Sequence, residues 1–164
     1  EIYYRVSSGG VTFSGGEPLS QIDFCIELAK KLKKKDIHIS IDTSGYIETD
    51  ELKGIITFSD LFLYDIKFID KEKHIKYTNK ENDLILENFK FLCKKGKKII
   101  VRVPMIPDIT DEKENIDNIK KYVKNHSSNV KIEYIPLNNL ITKKYEMIGR
   151  KCKIIKNNTG KVSK

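Results

Sequence analysis

With 164 residues, 39% of them hydrophobic, the chain is long enough for one domain with a real hydrophobic core. Its apolar runs are only a few residues long, far short of the roughly 20 needed to span a bilayer, and the N-terminus lacks a basic-then-apolar signal pattern, so nothing suggests a membrane and a cytoplasmic location is expected. The net charge of +8 comes mostly from lysines scattered along helical stretches such as Lys30 to Lys35; without an arginine cluster or an aromatic-interleaved basic stripe it reads as a solvated face, and no nucleic-acid partner is expected.

The first strand is Val11-Thr12-Phe13, bracketed by Gly9-Gly10 and Gly15-Gly16 and followed by Glu17-Pro18. A glycine loop at a strand end lets a ligand approach the peptide groups closely, so it reads either as a binding edge or as an ordinary strand-to-helix connection. Ser20 with Asp23 resembles a capping box, and Ile22, Cys25, Ala29 and Leu32 mark one face of the helix that follows. Ile37 to Ile41 alternates apolar with polar and runs into the polar loop Asp42-Thr43-Ser44-Gly45. A weaker helix around Thr49 to Ile56 leads to a third strand, Leu61 to Lys67. Asp70 to Tyr77 reads as a short helix, and Leu84, Ile85, Phe89, Leu92 and Cys93 form a stronger helical stripe that stops at Gly96. Lys98 to Pro107 is the fourth strand, Asp111 to Lys124 a helix through Ile116, Ile119 and Val123, and Val130 to Pro136 the fifth strand. Residues 1–154 are expected to form one core, with 155–164 a polar tail that frays. The three cysteines, Cys25, Cys93 and Cys152, are too far apart for a disulfide framework or a paired metal site; the first two read as reduced core thiols.

Strands recurring roughly every 25 to 35 residues with helices between them predict an α/β fold with a mainly parallel sheet. In such folds ligands bind at the carboxyl ends of the strands. The residues there are Gly15, Gly16 and Glu17 after the first strand, Asp42 and Thr43 after the second, Asp65 and Lys67 at the third, Arg102 within the fourth and Asn138 after the fifth. Some have plain structural explanations: Asp42 to Gly45 as a turn with a helix cap, Asp65 and Lys67 as a pair on one strand face. Arg102 is harder to dismiss. Arginine occurs only at positions 5, 102 and 150, yet one stands amid Ile99, Ile100, Val101 and Val103, where a charge needs a partner or an anionic ligand.

The succession Ser-Gly-Gly-Val-Thr-Phe-Ser-Gly-Gly-Glu-Pro, Asp-Thr-Ser-Gly, Leu-Tyr-Asp-Ile-Lys and Val-Arg-Val-Pro-Met-Ile-Pro resembles the radical S-adenosylmethionine activating enzymes of glycyl radical enzymes, the group that includes the pyruvate formate-lyase activator. The likeness runs from about Ser7 to Gly149 and takes in Asn82 to Asn88 and Lys143-Lys144-Tyr145. It implies a partial parallel (β/α) barrel of the radical SAM type, here with about five βα units and the first strand and helix missing. It also implies that Gly15, Gly16 and Glu17 bind the methionyl amino group of S-adenosylmethionine, and that Asp65, Ile66, Lys67, Arg102 and Asn138 lie along the cofactor. Asp42, Thr43, the Leu63 carbonyl and Asp65 are implied to hold a monovalent cation, for which hard oxygen ligands are suited.

Departures from the family pattern accompany the likeness. The Cys-x3-Cys-x2-Cys loop that binds the 4Fe-4S cluster is absent from the 164 residues, so this piece alone is expected to be inactive. Asn138 stands where the family usually has histidine, and Asp108 where it usually has glycine. The implied activity of the complete protein is reductive cleavage of S-adenosylmethionine to a 5′-deoxyadenosyl radical, which abstracts hydrogen from a backbone glycine of a glycyl radical enzyme; a flavodoxin or ferredoxin would supply the electron. The alternative is a non-catalytic S-adenosylmethionine-binding or scaffold domain without the cluster. A sheet lacking its first neighbour is expected to expose a hydrophobic edge near Val11.

Overall fold

A computed structural model describes residues 9–137, 145–147 and 149–150. The elements are β1 (Gly10–Phe13), a 3-10 turn (Pro18–Gln21), α1 (Ile22–Lys33), β2 (His38–Thr43), α2 (Thr49–Ile56), β3 (Leu61–Asp65), α3 (Lys71–Thr78), α4 (Asp83–Lys94), β4 (Ile99–Met105), α5 (Lys113–His126) and β5 (Lys131–Pro136). All strand pairings are parallel, in the sheet order β1-β2-β3-β4-β5. An order that never reverses sends every crossover the same way, so the connecting helices gather on one face and leave the other free.

The strands show that division residue by residue, because side chains alternate between faces. Ile39, Ile41 and Thr43, Phe62 and Tyr64, and Ile99, Val101 and Val103 are buried. Asp42, Leu63, Asp65 and Arg102, on the opposite parity, are only partly buried. The buried set joins Ala29, Leu52, Ile55, Phe89, Leu92, Ile119 and Val123 from the helices in one core. β1 is an edge strand paired only with β2 among the described residues, and Val11 packs partly against the core.

Local departures from the predicted elements have identifiable causes. The Ser20–Asp23 capping box does not form. Pro18 opens a 3-10 turn, in which the Glu17 carboxylate accepts from the Leu19 N–H at 3.2 Å and Ser20 Oγ donates to the Glu17 carbonyl at 2.7 Å. Helix α1 then starts at Ile22 with no side-chain cap. The fourth strand spans Ile99–Met105, shorter than 98–107, and Pro104 lies inside it. Arg102 accepts from the Ile66 N–H, so Pro104, on the same parity, faces the side where β3 has already ended; its missing N–H forfeits no ladder bond there. Gly96 ends α4 as expected, with φ of 65° and the Lys97 N–H bonded to the Leu92 carbonyl. Asp108, where glycine was the family expectation, indeed has a positive φ of 60°, and its N–H is held by Asp111 Oδ1 at 2.9 Å. The proposed tail boundary near residue 154 lies outside the described residues.

Candidate functional site at the carboxyl ends of the strands

The loop after β1 is fastened to the loop after β2 by one side chain. Glu17 Oε1 accepts from Thr43 Oγ1 at 2.7 Å, and Oε2 accepts from the Ser44 N–H at 2.9 Å and from Ser44 Oγ at 2.7 Å, in addition to the Leu19 contact. With both carboxylate oxygens so engaged, Glu17 fixes the loop. The groups that the loop leaves open are the peptide groups of Gly15 and Gly16, both exposed; Gly15 has φ of 137°, in the region that favours glycine. Replacing the carboxylate by an amide places an NH2 against donors. Glu17→Gln is therefore expected to destabilise by about 2 kcal/mol, measured as a lowered urea midpoint with an unchanged slope.

On the free face, Arg102 reaches two aspartates at once. Its Nη2 bonds Asp42 Oδ1 and lies 2.9 Å from Asp65 Oδ1, and its Nε lies 3.1 Å from the same Asp65 oxygen. Ser14 Oγ donates to the other Asp42 oxygen at 2.9 Å. All three charged side chains are between a fifth and three tenths exposed. Burial holds the Asp65 carboxyl above its ordinary pKa, opposed by Arg102 and Lys67. Asp65 pairs with Arg102, and Lys67 makes no ion pair among the described residues, so the alternative of an Asp65–Lys67 pair is not realised. Leu63 lies on the same parity, opposite Asp42 in the β2–β3 register. Ile66 is buried on the helix side, with its N–H bonded to the Arg102 carbonyl. Asn138 lies outside the described residues.

Three buried asparagines that the sequence reading did not single out hold the same rim. Asn88 Nδ2 bridges the Gly45 and Ile47 carbonyls, and its Oδ1 accepts from Thr49 Oγ1. Asn82 Nδ2 bridges the Phe68 and Ile69 carbonyls. Asn115 Nδ2 joins the Lys67 carbonyl to the Thr110 carbonyl. Each satisfies buried carbonyls of a strand-end loop that no ladder would satisfy. The available signal was an asparagine at the apolar spacing of a helix: Asn88 within Ile85, Phe89 and Leu92, and Asn115 four residues before Ile119.

The two described cysteines, Cys25 and Cys93, are no candidates for chemistry. Burial raises the Cys25 thiol pKa and pushes that of Cys93 up to about 11, which disfavours the thiolate. Cys25 is a core thiol as expected; Cys93 is only partly buried. Among the described residues no three of His, Cys, Asp and Glu converge on a metal position.

A parallel sheet whose helices crowd one face, with a glycine loop, two aspartates and an arginine meeting at its strand ends, defines an α/β ligand-binding domain of the strand-end type. The model of the Radical SAM superfamily matches residues 1–130, and the chain belongs to that superfamily. It is 41% identical over 153 residues to the trans-4-hydroxy-L-proline dehydratase activating enzyme of Clostridioides difficile, covering 92% of this chain and 50% of that protein. It is 35% identical over 153 residues to the pyruvate formate-lyase-activating enzyme of Staphylococcus epidermidis, covering 90% and 61%. In structure it resembles a domain of the pyruvate-formate lyase-activating enzyme from Bacteroides vulgatus, with a TM-score of 0.73 and 26% identity over 80% of this chain and 82% of that one. The chain spans half the length of the first of these curated relatives and 61% of the second. The superfamily implies S-adenosylmethionine and a 4Fe-4S cluster as cofactors. None of the described helices is long and apolar enough to cross a membrane.

Proposed function

We propose that this chain is the S-adenosylmethionine-binding portion of an enzyme that activates a glycyl radical enzyme. The observation that carries the reading is the strand-end constellation itself: the glycine loop pinned by Glu17, beside Asp42, Asp65 and Arg102 on the free face. Cofactor binding of this kind needs acceptors for an ammonium and cations for a carboxylate. The peptide groups of Gly15 and Gly16 suit the methionyl amino group, with Glu17 as the anchor that orients them. Lys67 and Arg102 suit the carboxylate and ribose oxygens; Ile66, its side chain buried on the helix side, is left a backbone contact, and Asn138, outside the described residues, is assigned to the cofactor by the family likeness alone.

Asp42, Thr43, the Leu63 carbonyl and Asp65 are proposed to hold a monovalent cation beside the cofactor. In support, the two carboxylates already converge on one positive group, the Arg102 guanidinium. Thr43 Oγ1, bonded to Glu17 and to the Gly45 N–H, ties that position to the glycine loop. S-adenosylmethionine supplies the group that takes hydrogen from the partner's glycine. The chain's own residues bind and orient it and exclude water. A flavodoxin or ferredoxin as electron donor and a cytoplasmic location belong to the same proposal.

Equilibrium dialysis with radiolabelled S-adenosylmethionine tests the binding half. Saturable binding is expected, weakened at least tenfold in Glu17→Gln, and its absence would sink the reading. The activating half is tested on the full-length gene product, reconstituted anaerobically and mixed with candidate glycyl radical enzymes. A glycyl radical signal in electron paramagnetic resonance is expected; cofactor binding without such a signal would favour the scaffold alternative.

A further inference from the structure

Arg102 leans one way across the sheet although an acid stands in register on each side of it. Asp65, Arg102 and Glu133 lie opposite one another on β3, β4 and β5. Residues in register share a face, and neighbouring strands are only about 4.8 Å apart. Every ion pair of the guanidinium nevertheless goes toward β2 and β3: Nη2 holds Asp42 and Asp65, and Nε the same Asp65 oxygen. Glu133 instead accepts from Lys131 Nζ at 2.7 Å, two residues back on its own strand. Lys131 is 70% exposed, so this is a surface ion pair that contributes little and is easily given up.

The place that Arg102 holds is the one a monovalent cation would need. Nη2 is within hydrogen-bond reach of one oxygen of each aspartate, and a cation bridging the same two carboxylates would stand where that nitrogen stands. Two positive groups cannot share it, because at such a separation they repel strongly. Asp42 cannot simply turn to offer its other oxygen, which already accepts from Ser14 Oγ at 2.9 Å. Filling the cation site therefore requires the guanidinium to leave. An arginine on this partly buried face keeps its charge and needs a new counter-charge. The carboxylate in register on its other side is Glu133.

We propose that Glu133 is a positioning residue that receives Arg102 when the cation site fills. The guanidinium swings from Asp42 and Asp65 to Glu133, Lys131 turns to solvent, and the N–H groups that Glu133 does not engage are left to the cofactor's oxygens. This assignment rests on the cation reading given above. In the empty protein the two aspartates are neutralised by the chain's own arginine, which the cation must displace; Glu133 lowers the cost of that displacement by offering the guanidinium a second seat.

The test is equilibrium dialysis of S-adenosylmethionine against the full chain, with sodium or potassium chloride replaced stepwise by choline chloride at constant ionic strength. Binding by the parent is expected to weaken at least tenfold in choline, a cation too large for the site. In sodium or potassium, Glu133→Gln should bind about tenfold more weakly than the parent, the loss of one charge-assisted hydrogen bond. The same variant should keep the parent's urea midpoint in choline, because Glu133 is bonded to Lys131 and not to Arg102 in the empty protein. A merely structural glutamate would move that midpoint instead. Arginine occurs at three positions, so the Arg102 Nε–H signal can be followed by nuclear magnetic resonance. It is expected to shift saturably when the alkali cation and S-adenosylmethionine are both added. No binding by the parent, or equal binding in choline and in the alkali salts, would overturn the cation reading and the movement of Arg102 together. Cation-dependent binding that is the same in parent and Glu133→Gln, or an Arg102 signal that does not respond, would overturn the role of Glu133 and leave the cation reading standing.

Discussion

Gly45→Ala is expected to be the most damaging single methyl group that can be added to the strand-end loops. Gly45 has φ of 72°, and a Cβ there would overlap the hydroxyl and ring of Tyr64. Tyr64 cannot move aside cheaply: it is fully buried, and its hydroxyl donates to the Ile85 carbonyl at 2.7 Å. The Gly45 carbonyl is held in turn by Asn88. A left-handed conformation costs an alanine about 1 kcal/mol and overpacking about 1–3 more, so a loss of about 2–4 kcal/mol follows. For a chain of this size that is roughly a 10 °C fall in Tm, to be read by calorimetry. A variant melting within a degree or two of the parent would show that the loop and Tyr64 can separate freely.

Arg102→Met is expected to have the second large effect, with a pH dependence that identifies its cause. The substitution keeps an unbranched apolar stem and leaves Asp42 and Asp65 facing each other without the guanidinium. Removing one partner of a buried ion pair costs about 3–5 kcal/mol, and these groups, being partly exposed, should come in near the lower end, about 3 kcal/mol. The sign of the pH effect follows from Asp65. Burial already raises its pKa above the ordinary value of 3.8 in the folded chain, and Arg102 opposes that rise. A carboxyl with a raised folded pKa binds its proton more tightly in the native state than in the unfolded chain. Its contribution to stability therefore declines as pH rises from the unfolded value through the folded one. Without Arg102 the folded pKa moves higher, so the variant should lose stability over a wider interval above pH 3.8 and recover part of it in acid. Urea denaturation of both proteins from acid to neutral pH checks this. Parallel stability curves for parent and variant would remove Arg102 as the counter-charge of Asp65.

Both predictions concern residues whose positions were legible in the sequence and whose partners were not. Gly45 was visible as the end of a polar loop, but nothing local says that a tyrosine nineteen positions later lies against it. Arg102 was visible as the wrong kind of cation in an apolar strand. Its partners, sixty and thirty-seven residues away, were found only when β2, β3 and β4 came side by side.

The elements themselves could be read because the evidence for them is local. Alternation along Ile37 to Ile41, the helical spacing of Ile85, Phe89 and Leu92, and glycine at position 96 depend only on neighbours within a few residues. The order of strand and helix then determined an α/β fold and the edge at which function gathers. Only the tertiary structure decided what each polar group at that edge does. It assigned the Glu17 carboxylate to Thr43 and Ser44, the guanidinium to two aspartates, and three asparagines to loop carbonyls. Hydrogen bonds of this kind join strand-end loops and neighbouring helices brought together by folding, and carry no period along the chain; periodicity reveals which residues are buried, and register reveals with whom.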